Sequence, residues 1–270
     1  MAGSPDPADF LPFAHRLADA AGEIIRRYWR KPIAVEQKPD DSPVTVADRE
    51  AEQALRRLIR DAYPEHGIVG EEYGIEDGDA ELLWCLDPID GTKSFITGRP
   101  LFGTLISLLH AGRPILGIID QCVLRERWVG ARGQPSLHDG QPIRTRACPS
   151  VDRAVLFVTT LQMFKTAEDR AAFGRVHDAV QLPMYGGDCY AYGLLAMGFA
   201  DLVVEAGLDD HDFMALVPVI EGAGGILTDW QGRALGRGSA GRVIAAGDPR
   251  VHAEAMELLA SNPPPTARRI

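Results

Sequence analysis

Leu82-Leu83-Trp84-Cys85-Leu86-Asp87-Pro88-Ile89-Asp90-Gly91-Thr92 runs an apolar segment straight into two carboxylates with a proline between them. A short apolar run bounded by turn formers has the pattern of a buried strand. Pro88 fixes its own φ and stiffens the turn, so Asp87 and Asp90 can face one point beyond the strand end, with the Ile89 carbonyl beside them. Gly91 lets a ligand approach the backbone closely. If a helix starts here, the Gly91 and Thr92 amides point at an anion. Hard cations take oxygen ligands, and Mg²⁺ commonly joins one or two carboxylates to substrate phosphate oxygens. Taken alone, an acidic turn of this kind more often merely caps a helix.

Working outward, other carboxylates stand at element ends. Glu71 follows a short strand-like run over 67–70, and Asp212 opens an apolar helical segment expected over 212–221. Asp48 lies three residues after Thr45, just ahead of an amphipathic helix carrying Ala54, Leu55, Leu58 and Ile59. Four acidic sites placed in this way point to a shared metal cleft. A first helix is expected from Phe10 to Tyr28 with Asp9 as its N-cap, and a hairpin over 103–121 turning on Ala111-Gly112-Arg113. Past a loose stretch at 146–153, strands and helices alternate. A soft boundary there divides the chain into halves 1–147 and 148–270. A frayed tail is expected after Asn262, where three prolines follow in a row.

Composition narrows the function classes. The chain has 270 residues, 46% of them hydrophobic, enough to bury a sizeable core. A net charge of −10 with no basic run argues against nucleic acid and anionic membranes as partners. No segment reads as membrane-spanning, and residues 1–9 lack the apolar stretch of a signal peptide. Cys85, Cys122, Cys148 and Cys189 form no CxxC pair, which fits a reducing cytoplasm better than a disulfide framework.

The run Asp87–Thr92, DPIDGT, resembles the signature of the inositol-monophosphatase superfamily. Gly70-Glu71-Glu72 is similar to its GEE motif, Val44-Thr45-Val46-Ala47-Asp48 to its VTxxD motif, and Ala223-Gly224-Gly225 to its C-terminal AGG. The likeness runs from about Lys38 to Gly247. It implies an α+β fold, a layered αβαβα sandwich of the inositol-monophosphatase/fructose-1,6-bisphosphatase type, with the metal site between the halves. It implies two or three Mg²⁺ ions held by Glu71, Asp87, the Ile89 carbonyl, Asp90 and Asp212. The Gly91 and Thr92 amides would bind phosphate, and Asp48 and Thr92, with Glu71, would orient and deprotonate the attacking water. Family members are often homodimers.

Substrate choice falls to the second half. Gly186-Gly187-Asp188-Cys189-Tyr190-Ala191-Tyr192 resembles the histidinol-phosphate phosphatase branch, as do DPIDGTKSFITGRPLFGTL at 87–105 and Asp212-Phe213-Met214-Ala215-Leu216-Val217-Pro218. Histidinol phosphate carries an ammonium and an imidazole, so an added carboxylate near the alcohol end favours it. Asp188 is placed to supply one, or to cap the helix that follows it. Glu205 matches a substrate-contacting glutamate of the family, or is a solvated strand end. His211 stands where many members have Trp or Tyr, and Mg²⁺ prefers oxygen to its nitrogen. The expected activity is Mg²⁺-dependent hydrolysis of L-histidinol phosphate in histidine biosynthesis. The alternatives are an inositol-1-monophosphatase or broad small-ester phosphatase, and a non-catalytic phosphometabolite binder. Such a binder should have lost one of Glu71, Asp87, Asp90 or Asp212, and all four are present.

Overall fold

The computed structural model describes residues 5–37 and 43–261. The polar residues 38–42 and the proline-rich tail from Asn262 lie outside them. Helix α1 (Leu11–Tyr28) buries Phe13, Leu17, Ala21 and Ile25 at helical spacing. Asp9 does not cap it. A 3₁₀ turn over Pro7–Phe10 comes first, and Asp6 accepts the Ala8 amide at 3.0 Å. Pro7 and Pro12 each suit a first-turn position, where the missing N–H is not needed.

An antiparallel pair, β1 (Val35–Gln37) and β2 (Pro43–Thr45), leads into α2 (Val46–Ala62). Asp48, expected just ahead of this helix, sits inside its first turn. The reason is a capping box: the Thr45 hydroxyl accepts the Ala47 amide, and the Asp48 carboxylate accepts the Thr45 amide at 2.8 Å. Next come β3 (Gly67–Gly70), β4 (Gly74–Glu76), β5 (Leu82–Asp90), α3 (Thr92–Ile96), β6 (Gly103–His110), β7 (Arg113–Gln121), β8 (Glu126–Ala131), β9 (Leu137–His138) and β10 (Gln141–Pro142). These strands form one sheet in the order β10-β9-β8-β7-β6-β5-β3-β4, in which only β3 and β5 run parallel. The expected hairpin is β6–β7. Its turn is Ala111-Gly112, both at positive φ, while Arg113 already pairs with His110.

The second half supplies β11 (Val155–Val158), α4 (Ala167–Ala179), β12 (Leu182–Tyr185), α5 (Asp188–Ala196), β13 (Leu202–Glu205), α6 (Asp210–Phe213), α7 (Leu216–Gly222), β14 (Ile226–Asp229), β15 (Val243–Ala246) and α8 (Pro249–Ala260). The single helix expected over 212–221 is two. Pro218 lacks an amide hydrogen and its ring clashes with a helical carbonyl four residues back, so the chain breaks at Met214-Ala215. The second sheet has the order β12-β11-β13-β15-β14, with β12, β11 and β13 parallel and the others antiparallel.

Three apolar clusters stack these elements into α-β-α-β-α layers. Leu17, Ile25, Leu55 and Ile59 of α1 and α2 pack on Trp84, Leu108 and Ile118 of the first sheet. Tyr192, Leu195, Leu216 and Ile220 of α5 and α7 lie between the sheets, against Leu105, Ile119, Val203 and Ala245. Phe173, Val176, Val251 and Leu259 of α4 and α8 cover the outer face of the second sheet at Leu156, Val204 and Ile244. Strand β13 shows the two-residue period: Val203 faces the central layer, Leu202 and Val204 the outer one. This is the layered sandwich that the resemblance implies.

Candidate active site

The turn expected after Leu86 is instead a continuation of β5 to Asp90, with a break in register against β6 between Asp87 and Asp90. In a regular strand, residues three apart point to opposite faces. The irregularity re-aims one of them, as β-bulges do, and both carboxylates reach the same space. Asp212, from the capping box that opens α6, joins them from the other half. Asp87, Asp90 and Asp212 each bring an oxygen within 4.8 Å of the other two. Asp87 is buried, and its Oδ1 has no hydrogen-bond partner.

Burial pushes the Asp87 and Asp90 carboxyls well above the usual carboxylate range. Nearby carboxylates add to the effect, Glu71 and Asp90 on Asp87, and Asp188 and Asp212 on Asp90. Burial also raises Asp212, to about 6. Like charges gathered out of water are costly without a counter-charge. An all-oxygen set with an orphaned acceptor fits a hard divalent cation. His211 is not part of this set. Its Nε2 lies 3.6 Å from the Asp212 carboxylate.

A cleft of about 330 Å³ gathers Glu71, Asp87, Ile89, Asp90, Gly91, Thr92, Asp188 and Asp212. Gly91 precedes α3 at φ 86°, a left-handed conformation that glycine adopts freely. A Cβ on it would also lie 2.9 Å from the Asp188 carboxyl. Thr92 Oγ1 donates to the Ile89 carbonyl at 3.1 Å. Asp188 does not cap α5: Gly187 is the N-cap position, and Asp188 is the first helical residue. Its carboxylate accepts from Ser94 Oγ at 3.0 Å. The amide of Cys189, in the first turn of α5, donates to Asp90 at 2.5 Å, so the two halves meet through the site itself.

Two expected residues lie off the cleft wall. Asp48 is wholly buried, bonded to Thr45 through Oδ2 and without a partner at Oδ1. Burial raises it to about 7, against the pull of the Thr45 hydrogen bonds and with added repulsion from Glu71 and Glu72. Glu205 is not a solvated strand end. It lines a small cavity of about 90 Å³ with Asp90, Asp188 and Asp212, and is 3% exposed. It accepts from Tyr192 Oη at 2.9 Å and from the Thr159 amide at 3.0 Å, and burial raises it to about 7. The structure adds residues that received no role from sequence. Ser94 holds Asp188, Lys93 and Arg99 bring positive charge to the cleft, and Thr159 links the amide of Asp188 to Glu205. Lys93, Ser94 and Arg99 fall within the run at 87–105, so their neighbourhood was visible. Thr159 carries no such signal.

A model of the inositol monophosphatase family matches residues 6–263. The chain belongs to the inositol monophosphatase family. It is thus a phosphatase of a family that acts on small phosphate esters. The chloroplastic bifunctional phosphatase IMPL2 of Arabidopsis thaliana is 51% identical over 259 residues, covering 93% of this chain and 75% of the relative. The histidinol-phosphatase of Chlorobaculum parvum is 34% identical over 224 residues, covering 83% of this chain and 86% of the relative. Among solved structures, an inositol monophosphatase from Zymomonas mobilis superposes with a TM-score of 0.87 at 48% identity, covering 95% of this chain and 99% of that one. Among the described residues, no helix of this family member is long and apolar enough to cross a membrane.

Proposed function

We propose that this inositol monophosphatase family member hydrolyses L-histidinol phosphate to L-histidinol and phosphate, with Mg²⁺ as cofactor. The observation that carries the substrate is Asp188, a carboxylate in the cleft wall packed on Gly91 and held by Ser94. An anion there favours a cationic alcohol over a neutral one. Similarity to histidinol-phosphatases at 31–34% identity supports the same choice.

Glu71, Asp87, the Ile89 carbonyl, Asp90 and Asp212 would hold the metal. Bound there, Mg²⁺ would supply a water of lowered pKa and neutralise charge on the phosphoryl oxygens. The Gly91 and Thr92 amides bind the phosphate. Thr92 donates its hydroxyl hydrogen to Ile89, which leaves its lone pairs to accept from the attacking water. Asp48, with one oxygen fixed by Thr45 and a pKa of about 7, is matched to taking up a proton near neutral pH. In this arrangement residues 1–147 supply most of the metal ligands, and 148–270 supply Asp212, the cleft carboxylate Asp188 and, one layer behind it, Glu205.

Phosphate release from histidinol phosphate and inositol 1-phosphate, measured side by side with EDTA controls, tests the reading. Histidinol phosphate is expected to be turned over about tenfold or more faster at limiting substrate, in line with one charged hydrogen bond of about 1.5–3 kcal/mol. A preference for inositol 1-phosphate would keep the metal chemistry and remove the histidinol assignment. Asp188→Asn is expected to lower kcat/KM for histidinol phosphate by about tenfold and to spare inositol 1-phosphate. Equal losses on both esters would take Asp188 out of selection. Glu205→Gln, acting one layer deeper through Thr159, is expected to shift selectivity less.

A further inference from the structure

Helix α2 turns three charged side chains inward: Asp48, Glu52 and Arg56, each four residues from the last. Glu52 is wholly buried and Arg56 only 6% exposed. Buried charges persist where they are paired and hydrogen-bonded. Glu52 accepts from Arg56 Nε at 2.8 Å, from the Glu72 amide at 2.7 Å and from the Tyr73 amide at 3.2 Å. Arg56 donates onward to the Gly74 carbonyl and to Glu76. Together these bonds tie α2 to the turn that leaves β3. A Cβ on Gly70 would overlap the Glu52 carboxyl, so only glycine at that place lets this carboxylate reach the turn amides. Glu71 sits between two anchors. Its own amide donates to the Leu86 carbonyl of β5 at 3.2 Å, and its carboxyl meets Asp87. The following two amides are held by Glu52.

We propose that Glu52 and Arg56 are positioning residues that clamp the turn after β3, fix the Glu71 carboxylate against Asp87, and thereby set the divalent-cation affinity of the site. The inference rests on the reading of Glu71 and Asp87 as metal ligands. Neither Glu52 nor Arg56 lines the cleft, so both act through the turn. A metal ligand free to swing pays an ordering cost on each binding event, and the clamp removes that cost in advance.

The test is Mn²⁺ binding followed by electron paramagnetic resonance on the full chain, a readout independent of turnover, beside the Mg²⁺ dependence of phosphate release. The proteins compared are the wild type, Glu52→Gln, Arg56→Lys, Arg60→Ala and Glu71→Gln. Glu52→Gln presents an amide hydrogen to donors that need an acceptor. It is expected to weaken Mn²⁺ binding and to raise the half-saturating Mg²⁺ concentration by about 10–100-fold, the usual effect of losing a group that orients a ligand. At saturating Mg²⁺ its kcat should return to near wild type. Arg56→Lys keeps the charge but loses the fork to Gly74 and Glu76, and should shift both readouts in the same direction. It carries the test if Glu52→Gln does not fold. Arg60 reaches Glu76 from the solvent side, and Arg60→Ala should change neither readout. Unchanged Mn²⁺ affinity in a folded Glu52→Gln, or a kcat loss that saturating Mg²⁺ does not restore, would overturn the proposal. A wild type that binds no Mn²⁺, or a Glu71→Gln that binds it as tightly as wild type, would overturn the ligand reading and the clamp with it.

Discussion

Asp90→Asn is expected to lower Mg²⁺-dependent phosphate release by about 10³-fold or more, equivalent to about 4 kcal/mol of lost transition-state stabilisation. Asp90 is one of three carboxylates whose oxygens lie within 4.8 Å of one another, and with Glu71 one of the four assigned to the cation, so an amide there removes a quarter of the charge that holds it. The fold should survive. Asn Oδ1 can accept the Cys189 amide that Asp90 now accepts at 2.5 Å, and one like charge leaves a buried cluster. The metal-free variant is therefore expected to melt at or above the temperature of the metal-free wild type. Activity within a few-fold of wild type would show that Asp90 is not a ligand. Lost activity together with a collapsed melting temperature would mean that its role is structural.

The second large effect is on stability. Asp48 and Glu205 are raised to about 7 and Asp212 to about 6, from ordinary values of 3.8 for Asp and 4.5 for Glu, and Asp87 and Asp90 move in the same direction. As pH rises, the unfolded chain releases these protons first, near pH 4. Between there and about pH 7 the folded chain binds more protons, so its stability falls with rising pH. In EDTA the melting temperature should therefore decline as pH rises from about 4.5 through 7. Mg²⁺ binds only the ionised, folded site and should reverse the decline. At a hundredfold excess over its dissociation constant it adds about 2.7 kcal/mol. For a chain of this size that corresponds to a rise of about 5–10 °C. A melting temperature that does not change with pH in EDTA, or that does not respond to Mg²⁺ at pH 7.5, would contradict the clustering of these carboxylates around a cation.

Much of this protein was legible in one dimension. Helices α1 and α2 follow from apolar residues at helical spacing, and β6–β7 from two apolar runs around Ala111-Gly112. Both features are local: periodicity records which side of an element faces the core, and turn chemistry depends on adjacent residues. The carboxylates of the DPIDGT run were legible for the same reason, because strand, proline and glycine are contiguous.

Tertiary structure decided what meets what. Asp87 and Asp90 share a side only because β5 loses register against β6, a matter of pairing with a distant strand. Asp212 and Asp188 reach the same cleft only because the central helices lie between the two sheets. Glu205 reads as a strand end, yet the structure buries it beneath Asp188, bonded to Thr159 and Tyr192. Glu52 and Arg56 look like ordinary polar positions of an amphipathic helix until β3 and its turn are seen lying over them. Sequence thus determined the local elements and the residue types able to bind a cation. Their convergence, burial and shifted protonation came from packing, because those depend on groups more than a hundred residues apart, such as Glu71 and Asp212, that only the folded chain brings together.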